Sequence, residues 1–266
     1  MFNKDAIPIF DCLTHPTIDG NWIQSQYNNM ASIVDLQTQM EQANVHWAFV
    51  VGMNGIGSYN ESAFVEMFKE SSDNKLYPIA YYTPDTDNID AIREHLNRIK
   101  KRGYKGIKLH PRMSNFYFSE RIAIVIKSAN DLGLICLLCT YPYCNNFANK
   151  ITPESTMELL SSLNGAKVML LHSGAVRLME YIEIARAFNN VLLDLSFTIC
   201  KYKGSSVDLD ISFAFKYFDK RICIGSDFPT YSLMNLRERF EYFSSEISTE
   251  KRKNIAYGNI ISFCEL

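Results

Sequence analysis

A repeated alternation of apolar runs and helical segments constrains the fold of this 266-residue chain more than any other feature. The apolar runs recur about every 30 residues, which is the length of one strand-and-helix unit. Several runs, such as ICLLC and VMLLH, are apolar on both faces, as are parallel strands covered by helices. The eight predicted strands are Ile7–Leu13, His46–Gly52, Leu76–Thr83, Gly106–His110, Leu134–Thr140, Lys167–His172, Val191–Ser196 and Arg221–Ser226. The predicted fold class is therefore α/β, a (β/α)8 TIM barrel.

The segments between the strands have helical periodicity and charged faces. The clearest predicted helices are Asn88–Arg102, Glu120–Leu132, Pro153–Leu163 and Val176–Phe188. No linker or low-complexity tract interrupts the alternation, so we predict a single domain over residues 1–266. The alternative is a doubly wound open sheet. That fold would place a glycine-rich phosphate-binding turn after its first strand, and the sequence THPTIDG offers none.

Charge and composition narrow the class of protein. Lys and Arg number 27 against 29 Asp and Glu, without a basic stripe, so we expect neither nucleic acid nor a membrane as partner. No signal-peptide pattern and no apolar run of roughly 18 residues is present, which predicts a cytoplasmic protein. The seven cysteines are odd in number, which favours reduced thiols. We expect a small-molecule substrate, and the apolar helical shell is compatible with a homodimer.

Polar side chains follow the predicted strands, at the ends where a barrel carries its active site. Asp227 follows the apolar run ICIG, where a carboxylate is costly to bury without a partner. Arg112 is suited to an anionic substrate, because a guanidinium pairs with a carboxylate through two parallel hydrogen bonds. Cys12 lies on the strand face opposite His15 if side chains alternate, so it is not expected at the site. The other candidates are Lys108, His110, Cys139, Tyr141, His172, Asp194 and Ser196.

Six segments, in order along the chain, resemble the amidohydrolase superfamily, and specifically its amidohydrolase-related branch of hydrolases, decarboxylases and lactonases. IFDCLTHP resembles the D-x-H-x-H signature of strand one, and KGIKLHPR, LICLLCTYPY, VMLLHSGA, NNVLLDLS and RICIGSDFP resemble the elements of strands four to eight. The resemblance implies one divalent ion, often zinc, held by two strand-one histidines, a strand-five histidine and the strand-eight aspartate. It also implies that Asp227 is a general base and that His172 lies beside the ion and polarises the substrate.

The sequence departs from this pattern at two ligand positions. Leu13 replaces the first strand-one histidine, and Cys139 replaces the strand-five histidine. One interpretation is a rebuilt zinc site formed by His15, Cys139 and Asp227, with help from His110 or His172, since a thiolate is a good zinc ligand. The other is that Cys139 is a small buried hydrophobe and the metal is absent. Lys108 is interpreted as a cation that lines the barrel or binds a substrate carboxylate.

The predicted function is hydrolysis of a small polar or carboxylate-bearing substrate, an amide, ester or lactone, with an altered or absent single-metal site. Asp227 and His172 are the predicted catalytic residues, and Arg112, Lys108 and Tyr141 the predicted substrate-binding residues. One alternative is a metal-independent, lactonase-like enzyme in which Asp227 activates water directly. The others are a decarboxylase and a barrel without catalysis that acts as a binding or accessory protein.

Overall fold

The computed structural model describes residues 6–68, 75–143 and 151–266. Cys144, counted among the predicted reduced thiols, lies outside the described residues, and the other six cysteines form no disulfide with one another. Within the described part of the chain, no helix is long and apolar enough to cross a membrane.

Eight strands form one sheet in the order β1 to β8, and with the helices between them they build the predicted (β/α)8 barrel. Neighbouring strands pair in parallel wherever their register is defined, as in β4 with β5 and β5 with β6. The strands are β1 Ile9–Thr14, β2 Val45–Val51, β3 Leu76–Tyr82, β4 Gly106–Leu109, β5 Ile135–Cys139, β6 Val168–Leu171, β7 Val191–Asp194 and β8 Ile222–Cys223.

The four clearest predicted helices are all present, with ends within two residues of the prediction. The helices are α1 Ile33–Ala43, α2 Glu61–Glu66, α3 Ile89–Arg102, α4 Pro111–Ser114, α5 Glu120–Asp131, α6 Pro153–Ser162, α7 Leu178–Ala187, α8 Thr198–Lys201, α9 Val207–Tyr217, α10 Leu233–Ser244, α11 Thr249–Lys253 and α12 Asn259–Cys264.

Local sequence signals explain where α3 begins and ends. The Asn88 side chain accepts hydrogen bonds from the backbone N–H groups of Asp90 and Ala91, at 3.0 and 3.1 Å. Such a cap satisfies donors that the first helical turn leaves without partners. The helix stops at Gly103, whose φ of 103° is costly for a residue with a Cβ atom. Its buried residues Ile92, Leu96 and Ile99 recur at helical spacing and form the face that packs inward.

Contacts divide the chain into two compact units, one made of residues 1–78 and 194–266 and the other of residues 79–193. The prediction of one domain over residues 1–266 stays a prediction. In the first unit, Phe10 packs against Trp47, Phe49 and Tyr77, with ring centroids 5.0 to 6.4 Å apart. In the second unit, the strand residues are almost all buried, and α5 covers them with an apolar face.

Strand β8 is shorter than the predicted Arg221–Ser226, because the side chain of Asp11 on β1 binds backbone groups near its end. The Asp11 carboxylate accepts hydrogen bonds from the backbone N–H groups of Leu13 and Ser226, at 3.2 and 2.9 Å. A side-chain acceptor thus takes backbone donors that a regular ladder between the two strands would use. The chain after β8 still follows β1, because Asp227 N–H donates to Leu13 O at 2.9 Å.

Candidate functional site

His15 and Asp227 form a close pair at the ends of β1 and β8. His15 Nε2 lies 3.4 Å from Asp227 Oδ1, and His15 Nδ1 lies 2.9 Å from the carbonyl oxygen of Val51. Because a carbonyl only accepts, Nδ1 carries a hydrogen and donates it to Val51. The other ring nitrogen therefore faces the carboxylate. Trp22 stacks on the imidazole with ring centroids 5.2 Å apart, which fixes the ring further.

Backbone hydrogen bonds hold this pair in place. Asp227 N–H donates to Leu13 O at 2.9 Å, and His15 N–H donates to Phe228 O at 2.8 Å. Asp227 has a φ of 63°, in the left-handed region that non-glycine residues rarely adopt. Such strain persists where the surroundings impose it, and it is concentrated at functional sites. The His15 side chain is 2% exposed and that of Asp227 is 15% exposed, so the carboxylate is the member of the pair that solvent or a substrate reaches.

Asp11 accepts hydrogen bonds from the chain next to His15 and Asp227, and it was not predicted as a functional residue. Its carboxylate accepts from the Ser226 backbone N–H and from the Ser226 hydroxyl, at 2.9 and 2.6 Å. Burial raises the pKa of Asp11 to about 7, against the lowering effect of these hydrogen bonds. A Cβ atom at Gly225 would lie 3.0 Å from Asp11 Oδ1, so the glycine lets the strands approach. The only sequence signal for Asp11 is the first letter of the D-x-H-x-H signature.

The second compact unit contains a group built around Cys139, the last residue of β5. Its sulfur lies 3.8 Å from Arg112 Nη2, and the thiol is buried. Burial raises the pKa of the Cys139 thiol, but its electrostatic interactions with His110 and Arg112 act the other way, and the pKa lies well below its ordinary value. Hydrogen bonds with His110 and His172 act in the same direction as those interactions. The contact with the Arg112 guanidinium therefore favours the thiolate form of this cysteine.

Aromatic and cationic side chains lie near Cys139. The Arg112 guanidinium lies 4.7 Å from the centroid of the Tyr141 ring, which in turn meets His172 edge-on at 6.1 Å. His172 has a φ of 65°, so the predicted sixth strand ends one residue early, at Leu171. The buried Nδ1 of His110 has no hydrogen-bond partner within the described part of the chain. Lys108 is 1% exposed and adds a buried cation at the end of β4.

The structure thus brings the predicted residues together in two groups. His15 lies with Asp227, and Cys139 lies with Arg112, His110, His172 and, through Arg112, Tyr141. Asp194 and Ser196, which the sequence also offered as candidates, bond to each other: the Ser196 N–H donates to Asp194 Oδ1 at 3.0 Å. Each group lies within one of the two compact units.

The residues present do not fit the divalent ion that the family resemblance implies. Leu13 is apolar and buried at the first ligand position. Cys139 lies 3.8 Å from a guanidinium, whose permanent positive charge repels a metal cation. His15 and Asp227 remain, and a catalytic zinc site uses three protein ligands. The metal-ligand roles predicted for His15, His110, Cys139 and Asp227 stay predictions, and the mechanism below uses no metal.

Comparison with known proteins identifies the family of this (β/α)8 barrel. The amidohydrolase family model matches residues 14–263, so the chain belongs to the amidohydrolase family. No curated protein matches the chain.

Solved structures of low sequence identity share the fold. An uncharacterised TIM-barrel protein from Bordetella bronchiseptica has a TM-score of 0.79 at 18% identity, covering 97% of this chain and 100% of its own. The 5-carboxyvanillate decarboxylase of Sphingomonas paucimobilis has a TM-score of 0.71 at 9% identity, covering 98% and 100%. A 5-carboxyvanillate decarboxylase from Novosphingobium aromaticivorans, with bound manganese, has a TM-score of 0.71 at 10% identity, covering 99% and 98%.

Proposed function

We propose that this amidohydrolase-family protein is a metal-independent hydrolase of a small ester or lactone that carries a carboxylate. The observation that carries the proposal is the His15–Asp227 pair, which keeps its contact of 3.4 Å although two of the family's ligand positions are Leu13 and Cys139. An ester or lactone is favoured over an amide. Without help from a Lewis acid, water attacks the carbonyl carbon of an ester more readily than that of an amide. The family membership and the decarboxylase neighbours make an enzyme the better reading of the fold.

In the proposed mechanism Asp227 is the general base. Its carboxylate takes a proton from a water molecule, and the water oxygen attacks the carbonyl carbon of the substrate. The carbon–oxygen bond to the leaving group then breaks, and the leaving alkoxide takes the proton back from Asp227. Val51 and Trp22 fix the His15 ring, so Nε2 stays 3.4 Å from Oδ1, and it donates to the carboxylate and orients it when the imidazole carries its second proton.

Arg112 is the proposed ligand for the carboxylate of the substrate. Its guanidinium is held over Tyr141 at 4.7 Å, and a guanidinium so positioned loses little conformational entropy on binding an anion. Lys108 is buried in β4 and adds a second cationic group near this strand end. Burial lowers the pKa of His110, which favours its neutral imidazole. Arg112 and Lys108 together favour the binding of an anion.

A substrate panel tests the proposal. The panel contains small lactones and aryl esters with and without a carboxylate, the matching amides, and aromatic carboxylates. We expect hydrolysis of the carboxylate-bearing esters or lactones, measured by proton release at constant pH. Carbon dioxide release from an aromatic carboxylate without ester hydrolysis would contradict the proposal and assign the chain to the reaction of its decarboxylase neighbours. No reaction with any compound of the panel would favour a barrel that binds a ligand without catalysis.

Replacing Arg112 should raise KM only for substrates that carry a carboxylate. For Arg112→Gln we expect KM for a carboxylate-bearing substrate to rise by about 10- to 100-fold, the value of one or two hydrogen bonds to a charged group. The methyl ester of the same carboxylate should show an unchanged KM. The matched control is Arg98→Gln on α3, whose partner is the exposed Glu94 at 2.9 Å. An equal rise in KM for both substrates would contradict the assigned role.

A further inference from the structure

Two thiols and a carboxylate meet in the interior of the first compact unit. Cys12 lies on β1, Asp194 ends β7, and Cys223 ends β8. Their ligand atoms all lie within 4.8 Å of one another, and each of the three side chains is fully buried. No other group of three or more His, Cys, Asp or Glu side chains converges in this way within residues 6–68, 75–143 and 151–266.

Backbone hydrogen bonds place the three side chains. Cys12 N–H donates to Ile224 O at 3.0 Å, which sets β1 beside the end of β8. Leu195 N–H donates to Cys223 O at 2.9 Å, which sets the end of β7 beside β8. The Asp194 carboxylate is oriented by its neighbour, because it accepts hydrogen bonds from the Ser196 backbone N–H and hydroxyl. The group is therefore fixed by the strand pairing and does not depend on mobile side chains.

The spacing suits a thiophilic metal ion. Zinc binds thiolate sulfur at about 2.3 Å and carboxylate oxygen at about 2.1 Å, so the ligand atoms of a tetrahedral site lie about 3.5 to 3.8 Å apart. From the 4.8 Å limit, the distances between the three atoms need to shorten by at most about 1.0 to 1.3 Å to reach such a geometry. The hydrogen bonds to Asp194 have the form of an outer shell, which in metal sites orients the ligating carboxylate.

The surroundings of the group favour a cation. Asp11 lies near Asp194, so two buried carboxylates lie close together, and burying a carboxylate is costly. Without an ion, burial raises the pKa of the Cys12 thiol well above its ordinary value and that of the Cys223 thiol to about 11. Both thiols therefore keep their protons. A divalent ion would displace these two protons. The two thiolates and the carboxylate carry three negative charges, so the site with a divalent ion would have a net charge of about −1.

We propose that Cys12, Asp194 and Cys223 bind a structural zinc ion that joins β1, β7 and β8. This site uses none of the residues of the proposed hydrolytic mechanism and does not rest on it. Because β8 is only two residues long and Asp11 interrupts its ladder with β1, an ion here would strengthen the pairing of strands that hydrogen bonds leave weak. The fourth position would be filled by the second oxygen of Asp194 or by a water molecule.

The test is metal content and a spectroscopic readout on the full chain, purified without a histidine tag. Elemental mass spectrometry should find about one zinc ion per chain in the wild type, and far less in Cys12→Ser and Cys223→Ser. Protein refolded with cobalt(II) alone should show a thiolate-to-cobalt charge-transfer band. This band should persist in Cys139→Ser and in Asp227→Asn, which separates the site from the predicted ligands of the family site.

Several results would overturn the proposal. One is wild-type protein that contains no zinc and shows no charge-transfer band with cobalt(II). Another is a band that Cys139→Ser abolishes. A third is a count of free thiols, in unfolded and unreduced protein, two short of the seven in the sequence, because Cys12 and Cys223 would then form a disulfide. If the serine variants do not fold, the Asp194→Asn variant and the wild-type cobalt spectrum decide the question.

Discussion

Replacing Asp227 by Asn should lower kcat/KM for the carboxylate-bearing ester or lactone by about 100- to 10,000-fold, the usual contribution of a positioned general base. Asn keeps the size of the side chain but takes no proton from water. The side chain is 15% exposed, so the variant should fold with a midpoint of urea unfolding close to that of the wild type. Initial rates at saturating and subsaturating substrate give kcat and KM separately.

The matched control for this variant is Asp131→Asn, which removes a carboxylate from the exposed end of α5. Its kcat/KM should equal that of the wild type. The account would be wrong if Asp227→Asn kept more than about a tenth of the wild-type rate, because a general base contributes at least 100-fold. It would also be wrong if the loss appeared only as a raised KM, which would give Asp227 a role in binding.

Replacing Arg237 by Met should lower the free energy of unfolding by about 3 to 5 kcal/mol, the usual cost of removing one member of a buried charged network. Arg237 on α10 is fully buried. Its guanidinium donates hydrogen bonds to the carbonyl oxygens of Ala43, Ile7 and Asn44, at 2.8 to 2.9 Å. It also donates to Glu241 Oε1 at 3.0 Å. Met fills a similar volume but donates nothing, so these three carbonyl groups and Glu241 would each lose a donor.

Urea unfolding followed by circular dichroism measures this loss. The matched control is Arg186→Met on α7, whose exposed partner Glu183 lies at 3.2 Å, and for which we expect a change of less than about 1 kcal/mol. Equal stabilities for the two variants would show that the carbonyl groups around Arg237 find other partners, and would remove the structural role that we assign to this arginine.

The barrel itself could be predicted because it depends on a repeat that each segment carries locally. The period of the apolar runs and the signals at helix ends, such as Asn88 and Gly103, need no knowledge of distant contacts. The end of β8 could not be predicted in the same way. It depends on Asp11, 215 positions away from Ser226, which takes a backbone donor from the ladder.

The site could be predicted in part. Family motifs pointed to His15 and Asp227, and the structure places them in contact. The environment of Cys139 could not be read from the sequence, because the pKa of its thiol depends on residues that follow β4 and β6. Alternation along β1 kept Cys12 out of consideration. Its partners Asp194 and Cys223 lie about 200 residues away in sequence, and only the folded barrel brings them together.

The central claim is that hydrolysis at the His15–Asp227 pair needs no metal ion. The most direct test is the steady-state rate of the wild type on its ester or lactone substrate after dialysis against a chelator, with and without added zinc or manganese. The account predicts the same rate in every case, since an ion buried at Cys12, Asp194 and Cys223 would not respond to added metal. A rate that is absent after dialysis and returns in a saturable way with the added ion would contradict it.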